Sequence, residues 1–193
     1  MVSSLINLFK LTTKIRPRII LICGLPLTGK STLGKLLQEA FGLVFIDIDE
    51  IRNLIFNHRL NLAKSDLAQD EKQMLISYNF LFFITELIIK SNQAVIVAAT
   101  FSREVYHTSV INLAKDNYVP IRAVYCFAPD AVIKKRALER RNKESSYSTV
   151  RDFSDYERVR SRYKLGPWDN AFRVDTSLVS GYDLEKIIDF CSS

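Results

Sequence analysis

The sequence Gly24-Leu25-Pro26-Leu27-Thr28-Gly29-Lys30-Ser31 decides how the rest of the chain is interpreted. It consists of a glycine, four variable residues and then Gly-Lys-Ser, which is the pattern of a phosphate-binding loop. The apolar run Ile19–Cys23 comes directly before it and has the composition of a buried strand. Residues 32–41 follow it and predict a helix with leucines along one side. A glycine-bounded loop between a strand and a helix is the setting that this motif requires.

Two physical properties make such a loop a site for phosphate. Unpaired backbone N–H groups at a helix N-terminus, with the positive end of the helix dipole, favour a bound anion. Gly24 and Gly29 give the backbone the freedom to curl its amides around a phosphate group. Lys30 is expected to reach the β- and γ-phosphates, and the Ser31 hydroxyl to bind Mg²⁺. Against the alternative of an ordinary Gly/Pro turn, we predict that ATP is bound by Gly24, Leu25, Pro26, Leu27, Thr28, Gly29, Lys30, Ser31 and Thr32.

Length and composition favour one globular domain over residues 1–193. The chain is 48% hydrophobic and 25% charged, which is ordinary for such a domain. Lys and Arg exceed Asp and Glu by 27 to 21, and the net charge of +6 suits an anionic substrate without indicating nucleic acid specifically. Cys23, Cys126 and Cys191 are widely spaced and form no CxxC pair. We expect the first two to be reduced and buried, as in a cytoplasmic protein.

The sequence predicts no membrane span. No stretch approaches the roughly 20 uninterrupted apolar residues that a span needs, and the densest segment, residues 78–89, contains polar residues. Residues 1–16 form an N-terminal extension that is expected to pack on the domain as a short helix or tail. A role at a membrane surface is the weaker alternative, because only Lys10 and Lys14 supply positive charge there.

Strand patterns and helix patterns alternate along the whole chain. After the first strand and helix, the sequence predicts strands at 43–46, 94–100, 121–127 and 172–175, and helices at about 49–56, 65–91, 103–116, 128–141, 153–163 and 182–190. This alternation predicts an α/β three-layer sandwich, with a parallel sheet of about five strands and helices on both faces. Together with the phosphate loop, it favours the P-loop NTPase type of this fold. Ligands of such sheets bind beyond the carboxyl ends of the strands, so the loops there should converge on one site.

The element Asp47-x-Asp49-x-x-Arg52 follows the second predicted strand. A carboxylate at this place could take the proton of a hydroxyl that accepts a phosphoryl group, and we predict this role for Asp49. Arg52 is expected to hold an anionic part of the acceptor, and Asp47 to contact the acceptor or to hold Mg²⁺ through water. The alternative is structural, with Asp49 as a helix N-cap and Arg52 paired with a nearby acid.

Arg136 and Arg140 are four residues apart and share one face of a predicted helix. With the polar stretch beyond them, residues 136–163 are expected to form a small helical lid over the nucleotide. Arginines in a lid neutralise the charge that develops on a transferring phosphoryl group, and we predict this role for both, above all for Arg140. The alternative is a solvated basic face, which is the usual position of a run of charges.

With these residues the chain resembles the small P-loop kinases that are grouped as AAA-type ATP-binding kinase-like domains. This group lies near gluconate kinase, chloramphenicol phosphotransferase, the zeta-toxin kinases and the polynucleotide kinase domains. The resemblance covers about residues 18–188. It rests on the phosphate loop, Asp49-x-x-Arg52, residues 95–100, Ala128-Pro129 through Arg136-x-x-x-Arg140, residues 154–163 and the closing residues 174–177. It implies ATP as the donor, Mg²⁺ as the cofactor and a hydroxyl acceptor that the residue at position 49 deprotonates.

Two residues depart from the pattern of that group. Leu27 stands where many members have glycine, and Ala98 stands where many have an acidic residue that helps to hold Mg²⁺. Asp47 or Asp49 is the available substitute for that acid. The adenylylsulfate kinases also lack it, and their Asp-Gly-Asp-x-x-Arg element resembles residues 47–52. Their Lys-Gly-Leu-Tyr lid sequence has no counterpart here.

The sequence therefore predicts an enzyme that transfers the γ-phosphoryl group of ATP to a hydroxyl of a small-molecule or nucleotide-like acceptor. Three alternatives stay open. The protein could be a polynucleotide 5′-hydroxyl kinase, an adenylylsulfate kinase-like enzyme, or a nucleotide-binding regulatory or toxin-like module of low turnover. Ala98 is the argument for the last of these.

Overall fold

The structure, a computed structural model, describes a five-stranded sheet and seven helices. It covers residues 15–56, 67–141, 150, 152–164, 166–168, 170–177 and 183–193, with only the backbone for 67–70 and 141. The strands in these residues are β1 (Ile19–Cys23), β2 (Val44–Asp47), β3 (Val95–Ala98), β4 (Ile121–Phe127) and β5 (Phe172–Asp175). The helices are α1 (Lys30–Phe41), α2 (Ile48–Phe56), α3 (Leu67–Lys90), α4 (Glu104–Asp116), α5 (Asp130–Arg141), α6 (Phe153–Arg162) and α7 (Leu184–Ser192).

The sheet is parallel throughout, with the strand order β2-β3-β1-β4-β5. Strand β1, which leads into the phosphate loop, is therefore central. The carboxyl ends of all five strands meet at one edge, where polar loops can converge. The predicted α/β fold with a parallel sheet of about five strands is confirmed.

The alternation of side chains along β1 divides the core into two layers. Ile19, Leu21 and Cys23 belong to a buried cluster that includes residues of α3 and α4. Ile20 and Ile22 point to the other face and belong to a cluster with α1 and α7. All five side chains are fully buried, and each large one contributes about 1.5–3 kcal/mol to folding. The sheet thus lies between two layers of helices.

One described helix, α3, is long and apolar enough to cross a membrane by length and composition alone. The qualifying segment is Glu71–Lys90, with a mean hydropathy of 1.2. Its Tyr78 and Leu81 are buried in the core cluster beneath the sheet. Packing on the sheet therefore accounts for the apolar character of that face of the helix.

Two predicted segments lie outside the described residues in whole or in part. The N-terminal extension 1–16 is described only at residues 15 and 16. The lid 136–163 is described as the end of α5 and as α6, without residues 142–149 and 151. The two described lid helices pack together through Ile133, Ala137 and Tyr156.

Candidate functional site

The loop between β1 and α1 folds back on its own lysine. Lys30 Nζ donates a hydrogen bond to the Leu25 carbonyl at 2.8 Å, and Thr28 Oγ1 donates to the same oxygen at 2.7 Å. The carbonyl belongs to the peptide between Leu25 and Pro26, and Pro26 has no N–H group. Holding this peptide in place therefore costs the loop no N–H donor for phosphate. The contacts hold the lysine ammonium against the loop backbone.

Both glycines of the motif have backbone conformations in which a side chain would be strained. Gly24 has φ +139°, and a Cβ atom there would collide with the Cys126 carbonyl at the end of β4. Gly29 has φ +81°, and its Cβ atom would lie 3.2 Å from Thr176 Oγ1. L-residues with side chains rarely adopt such φ values. Glycine therefore lets the loop lie directly against the ends of β4 and β5.

Ser31 and Asp47 meet at the edge of the sheet. Ser31 Oγ donates to Asp47 Oδ2 at 2.5 Å, and Asp47 Oδ1 accepts the N–H of Asp49 at 3.0 Å. The Asp47 carboxylate, which is 6% exposed, therefore fills the capping role that was the structural alternative for Asp49. In the sheet Asp47 is the direct partner of Ala98 on β3. A carboxylate thus stands beside the position where many P-loop kinases carry an acidic residue.

The Ser31 hydroxyl and the Asp47 carboxylate fit a magnesium ion by their chemistry. Mg²⁺ prefers oxygen ligands and is usually bound by one or two protein groups together with water and substrate phosphates. Among the described residues, no cluster of three or more His, Cys, Asp or Glu side chains offers a metal cage made by protein alone. The available donor set is therefore that of an ion carried with a nucleotide.

Asp49 lies among charges of both signs. Burial raises the pKa of this carboxyl to about 6, and the neighbouring Asp47 adds to the rise, whereas Lys30, Arg140 and Arg52 oppose it. An aspartate with a raised pKa holds a proton more strongly than a free one. At neutral pH it is still mostly ionised, which is the combination that a general base needs.

Two cations approach this carboxylate pair from different elements. Burial lowers the pKa of Lys30, while Asp49 and Asp47 oppose that change. Burial also lowers the pKa of Arg140 on α5, again opposed by both carboxylates. Helix α5 therefore brings Arg140 to the side of the phosphate loop where the acidic residues lie.

Arg52 is buried near Asp49. Its side chain is 1% exposed, and Nη2 donates to Gln73 Oε1 of α3 at 3.3 Å. Its positive charge is close enough to lower the pKa of Asp49. The structure thus brings five predicted site residues together at one end of the sheet: Lys30, Asp47, Asp49, Arg52 and Arg140.

Arg136 shares a helix with Arg140 but contacts the protein backbone. Its Nη1 atom donates to the Leu27 carbonyl and to Thr176 Oγ1, each at 3.0 Å, and its Nη2 atom donates to the Thr176 carbonyl. Thr176, which is 3% exposed, donates in turn to the Thr28 carbonyl at 2.8 Å. The sequence analysis assigned no role to Thr176. Its place just after β5, at the edge of the sheet where ligands bind, was the sequence feature that could have indicated one.

Leu27 links the phosphate loop to the lid helices. It has φ +64°, which is unusual for a residue with a side chain. The side chain is 7% exposed and packs in a cluster with Ile133 and Ala137 of α5 and Tyr156 of α6. Where many relatives have glycine, this chain therefore uses a leucine that anchors the loop in the lid.

Comparison with protein families decides the classification. The profile of a family described as an AAA domain, AAA_33, matches residues 19–165. The chain belongs to the AAA_33 family. This range runs from the first residue of β1 past the end of α6 and therefore includes the phosphate loop, the acidic pair and both lid arginines. The resemblance to small P-loop kinases is confirmed.

Solved structures share the fold of this AAA_33 domain. A candidate kinase from Chloroflexus aurantiacus j-10-fl is 24% identical, with a TM-score of 0.74, and the match covers 90% of this chain and 96% of the other. A gluconokinase from Sinorhizobium meliloti 1021 is 16% identical, with a TM-score of 0.61 and coverage of 91% and 90%. The Mycobacterium tuberculosis APS kinase CysC, solved with AMPPNP and APS, is 18% identical, with a TM-score of 0.61 and coverage of 93% and 99%. A search of curated proteins found no match.

Proposed function

We propose that this protein transfers the γ-phosphoryl group of ATP to a hydroxyl group of a small-molecule or nucleotide-like acceptor. The observation that carries the proposal is the grouping of Asp49 with Lys30, Arg140 and Arg52 at the mouth of the phosphate loop. ATP hydrolysis would need only a water molecule positioned beside the γ-phosphate, and would not need a group that binds an anionic acceptor. A basic carboxylate beside a buried arginine is suited to an acceptor that has both a hydroxyl and a negative charge.

The donor side of the site is formed by the loop and the first turn of α1. The backbone amides and Lys30 would bind the phosphates, and the Ser31 hydroxyl with the Asp47 carboxylate would hold Mg²⁺. When bound, the ion neutralises charge on the phosphates. Arg140 adds positive charge where the phosphoryl group leaves ADP. The carboxylate of Asp47 substitutes for the acid that is absent at Ala98, its partner in the sheet.

The acceptor side lies between α2 and α3. Asp49 receives the proton of the attacking hydroxyl, and Arg52 binds an anionic part of the acceptor while Gln73 keeps its guanidinium in place. The gluconokinase and APS kinase that share the fold are named for acceptors with both a hydroxyl and an anionic group. This coincidence supports the acceptor class for the present chain. The three buried free cysteines support a reducing compartment such as the cytoplasm.

A screen of acceptors tests the proposal. Purified protein with Mg²⁺ and ATP is incubated with sugar acids, sugars, nucleosides, adenylylsulfate and oligonucleotides with a 5′-hydroxyl, and ADP release is measured. At least one anionic hydroxyl compound is expected to stimulate release well above the rate with water. Asp49→Asn is expected to abolish the stimulation and to leave ATP affinity nearly unchanged, because position 49 acts on the acceptor.

The outcome also separates the alternatives. Stimulation by oligonucleotides that disappears with salt would identify a polynucleotide kinase. ATP binding without stimulation by any acceptor would contradict the proposal and favour a low-turnover module. Full activity of Asp49→Asn on the true acceptor would show that another group takes the proton.

A further inference from the structure

Two side chains from distant parts of the chain hold the back of the phosphate loop. Arg136 of α5 donates to the Leu27 carbonyl at 3.0 Å. Thr176, just after β5, donates to the Thr28 carbonyl at 2.8 Å. Two consecutive carbonyl groups of the loop are therefore fixed from outside by hydrogen bonds.

The hydrogens of Thr176 can be assigned from its neighbours. Its hydroxyl lies 2.8 Å from the Thr28 carbonyl and 3.2 Å from the Phe127 carbonyl, but a hydroxyl has only one proton to donate. The Phe127 carbonyl already accepts the backbone N–H of Thr176 at 2.9 Å. The hydroxyl proton therefore goes to Thr28, and the hydroxyl oxygen accepts from Arg136 at 3.0 Å. A continuous chain of donors runs from Arg136 through Thr176 to the loop.

The fixed carbonyls determine where the loop amides point. In a planar trans peptide the C=O and N–H bonds point in opposite directions. The bond from Arg136 to the Leu27 carbonyl thus turns the N–H of Thr28 away from α5, and the bond from Thr176 turns the N–H of Gly29 away from β5. Within the described part of the chain, the Gly29 N–H donates to no protein acceptor, and the Thr28 N–H has only the weak turn contact with the Leu25 carbonyl that closes the turn at Pro26 and Leu27. Both are available to an anion.

The loop conformation itself needs such support. Leu27 has φ +64° and Gly29 has φ +81°, and a residue with a side chain in this region costs about 1–3 kcal/mol unless the surroundings hold it. The Leu27 side chain is held by its packing against Ile133 and Ala137 of α5 and Tyr156 of α6. The backbone is held by the hydrogen bonds to the Leu27 and Thr28 carbonyls.

We propose that Arg136 and Thr176 are positioning residues, which direct the N–H groups of Thr28 and Gly29 at a bound phosphate, and that Arg136 does so without touching the nucleotide. The inference rests on the proposed function in one respect, namely that this loop binds nucleotide phosphates. It separates the two lid arginines by role, because Arg140 faces the carboxylates and Arg136 faces the loop backbone.

Calorimetry of inorganic tripolyphosphate binding with Mg²⁺ tests these roles of Arg136 and Thr176. This probe has no base or ribose and no acceptor is present, so only phosphate binding is measured. Arg136→Met and Thr176→Val should each weaken binding by about tenfold, the effect of losing one good hydrogen bond of the chain. The double variant should lose more than either single variant, up to about a hundredfold, because Arg136 and Thr176 hold the Leu27 and Thr28 carbonyls by separate bonds. Thr176→Ser keeps the hydroxyl and should restore the affinity. The exposed side chains of Arg158 and Thr108 provide matched controls in Arg158→Met and Thr108→Val.

Arg136→Lys keeps the charge but cannot donate to the same set of acceptors, so it should behave like Arg136→Met. If Thr176→Val does not fold, Arg136→Lys still tests the inference. Wild-type affinity in Arg136→Lys would show that the positive charge at position 136 binds the phosphate directly, and it would overturn the inference. Undiminished affinity in all variants would overturn it as well. A wild-type protein that binds no tripolyphosphate would overturn the proposed function and this inference together.

Discussion

Replacing Asp47 with asparagine isolates the charge of the carboxylate that lies beside the phosphate loop. Asparagine has nearly the same shape and caps a helix about as well as aspartate. The hydrogen bond from the Asp49 N–H in the first turn of α2 to the side chain at position 47 can therefore persist. The bond from Ser31 Oγ, at 2.5 Å, would lose its charged acceptor. The change thus weakens the proposed metal site and leaves the fold within a few tenths of a kcal/mol.

The size of the effect follows from the position of this carboxylate. Groups that orient a metal ligand typically change metal affinity by about 10–100-fold when they are removed. Asp47→Asn should therefore raise the Mg²⁺ concentration that half-saturates nucleotide binding by about 10–100-fold. Without Mg²⁺ the affinity for ADP should stay equal or improve, because a negative charge near the phosphates has been removed.

A titration of Mg²⁺ at a fixed concentration of a fluorescent ADP analogue measures this shift. Asp116→Asn removes an exposed carboxylate at the end of α4 and is the matched control. A shift in the control as large as in Asp47→Asn would show that general electrostatics is responsible. An unchanged Mg²⁺ requirement in Asp47→Asn would refute the assignment of this residue as the substitute for the acid missing at Ala98.

Two further predictions concern the loop itself. Lys30→Ala should weaken the binding of Mg·ATP by about 10–100-fold, the value of a hydrogen bond to a charged group, and calorimetry that finds equal affinity would contradict the role of the ammonium. Gly24→Ala should destabilise the fold by at least 1–3 kcal/mol in urea unfolding, because its Cβ would strike the Cys126 carbonyl at a φ of +139°. Gly42→Ala, with φ +67° and no atom within 4 Å of the added Cβ, should cost less, and equal costs would disprove the steric argument.

The sequence was sufficient to predict the layers of the fold. The run Ile19–Cys23 and the alternation of strands and helices specify a parallel sheet, because few other topologies bury such strands. Element ends were less accurate. Helix α1 begins at Lys30, two residues earlier than predicted, because Gly29 turns the chain and its carbonyl accepts the N–H of Leu33 at 3.0 Å. Strand β3 ends at Ala98, although the apolar run continues beyond it.

The site was predictable only where its residues are close in sequence. The phosphate loop and Asp49-x-x-Arg52 have local patterns. That Asp47 stands beside Ala98 depends on β2 pairing with β3, and the order of strands along the chain does not give this pairing. Thr176 lies 148 residues from Thr28, and its place after a short strand does not reveal that it contacts the phosphate loop. Contacts of this kind arise from the packing of the whole sheet.

The fate of the γ-phosphate is the most direct test of phosphoryl transfer. With the acceptor that gives the greatest ADP release, ATP labelled in its γ-phosphate should pass the label to the acceptor hydroxyl in a single turnover, and Asp49→Asn should stop this transfer. Label found only in inorganic phosphate, in wild type and Asp49→Asn alike, would show that the site hydrolyses ATP and would contradict the account.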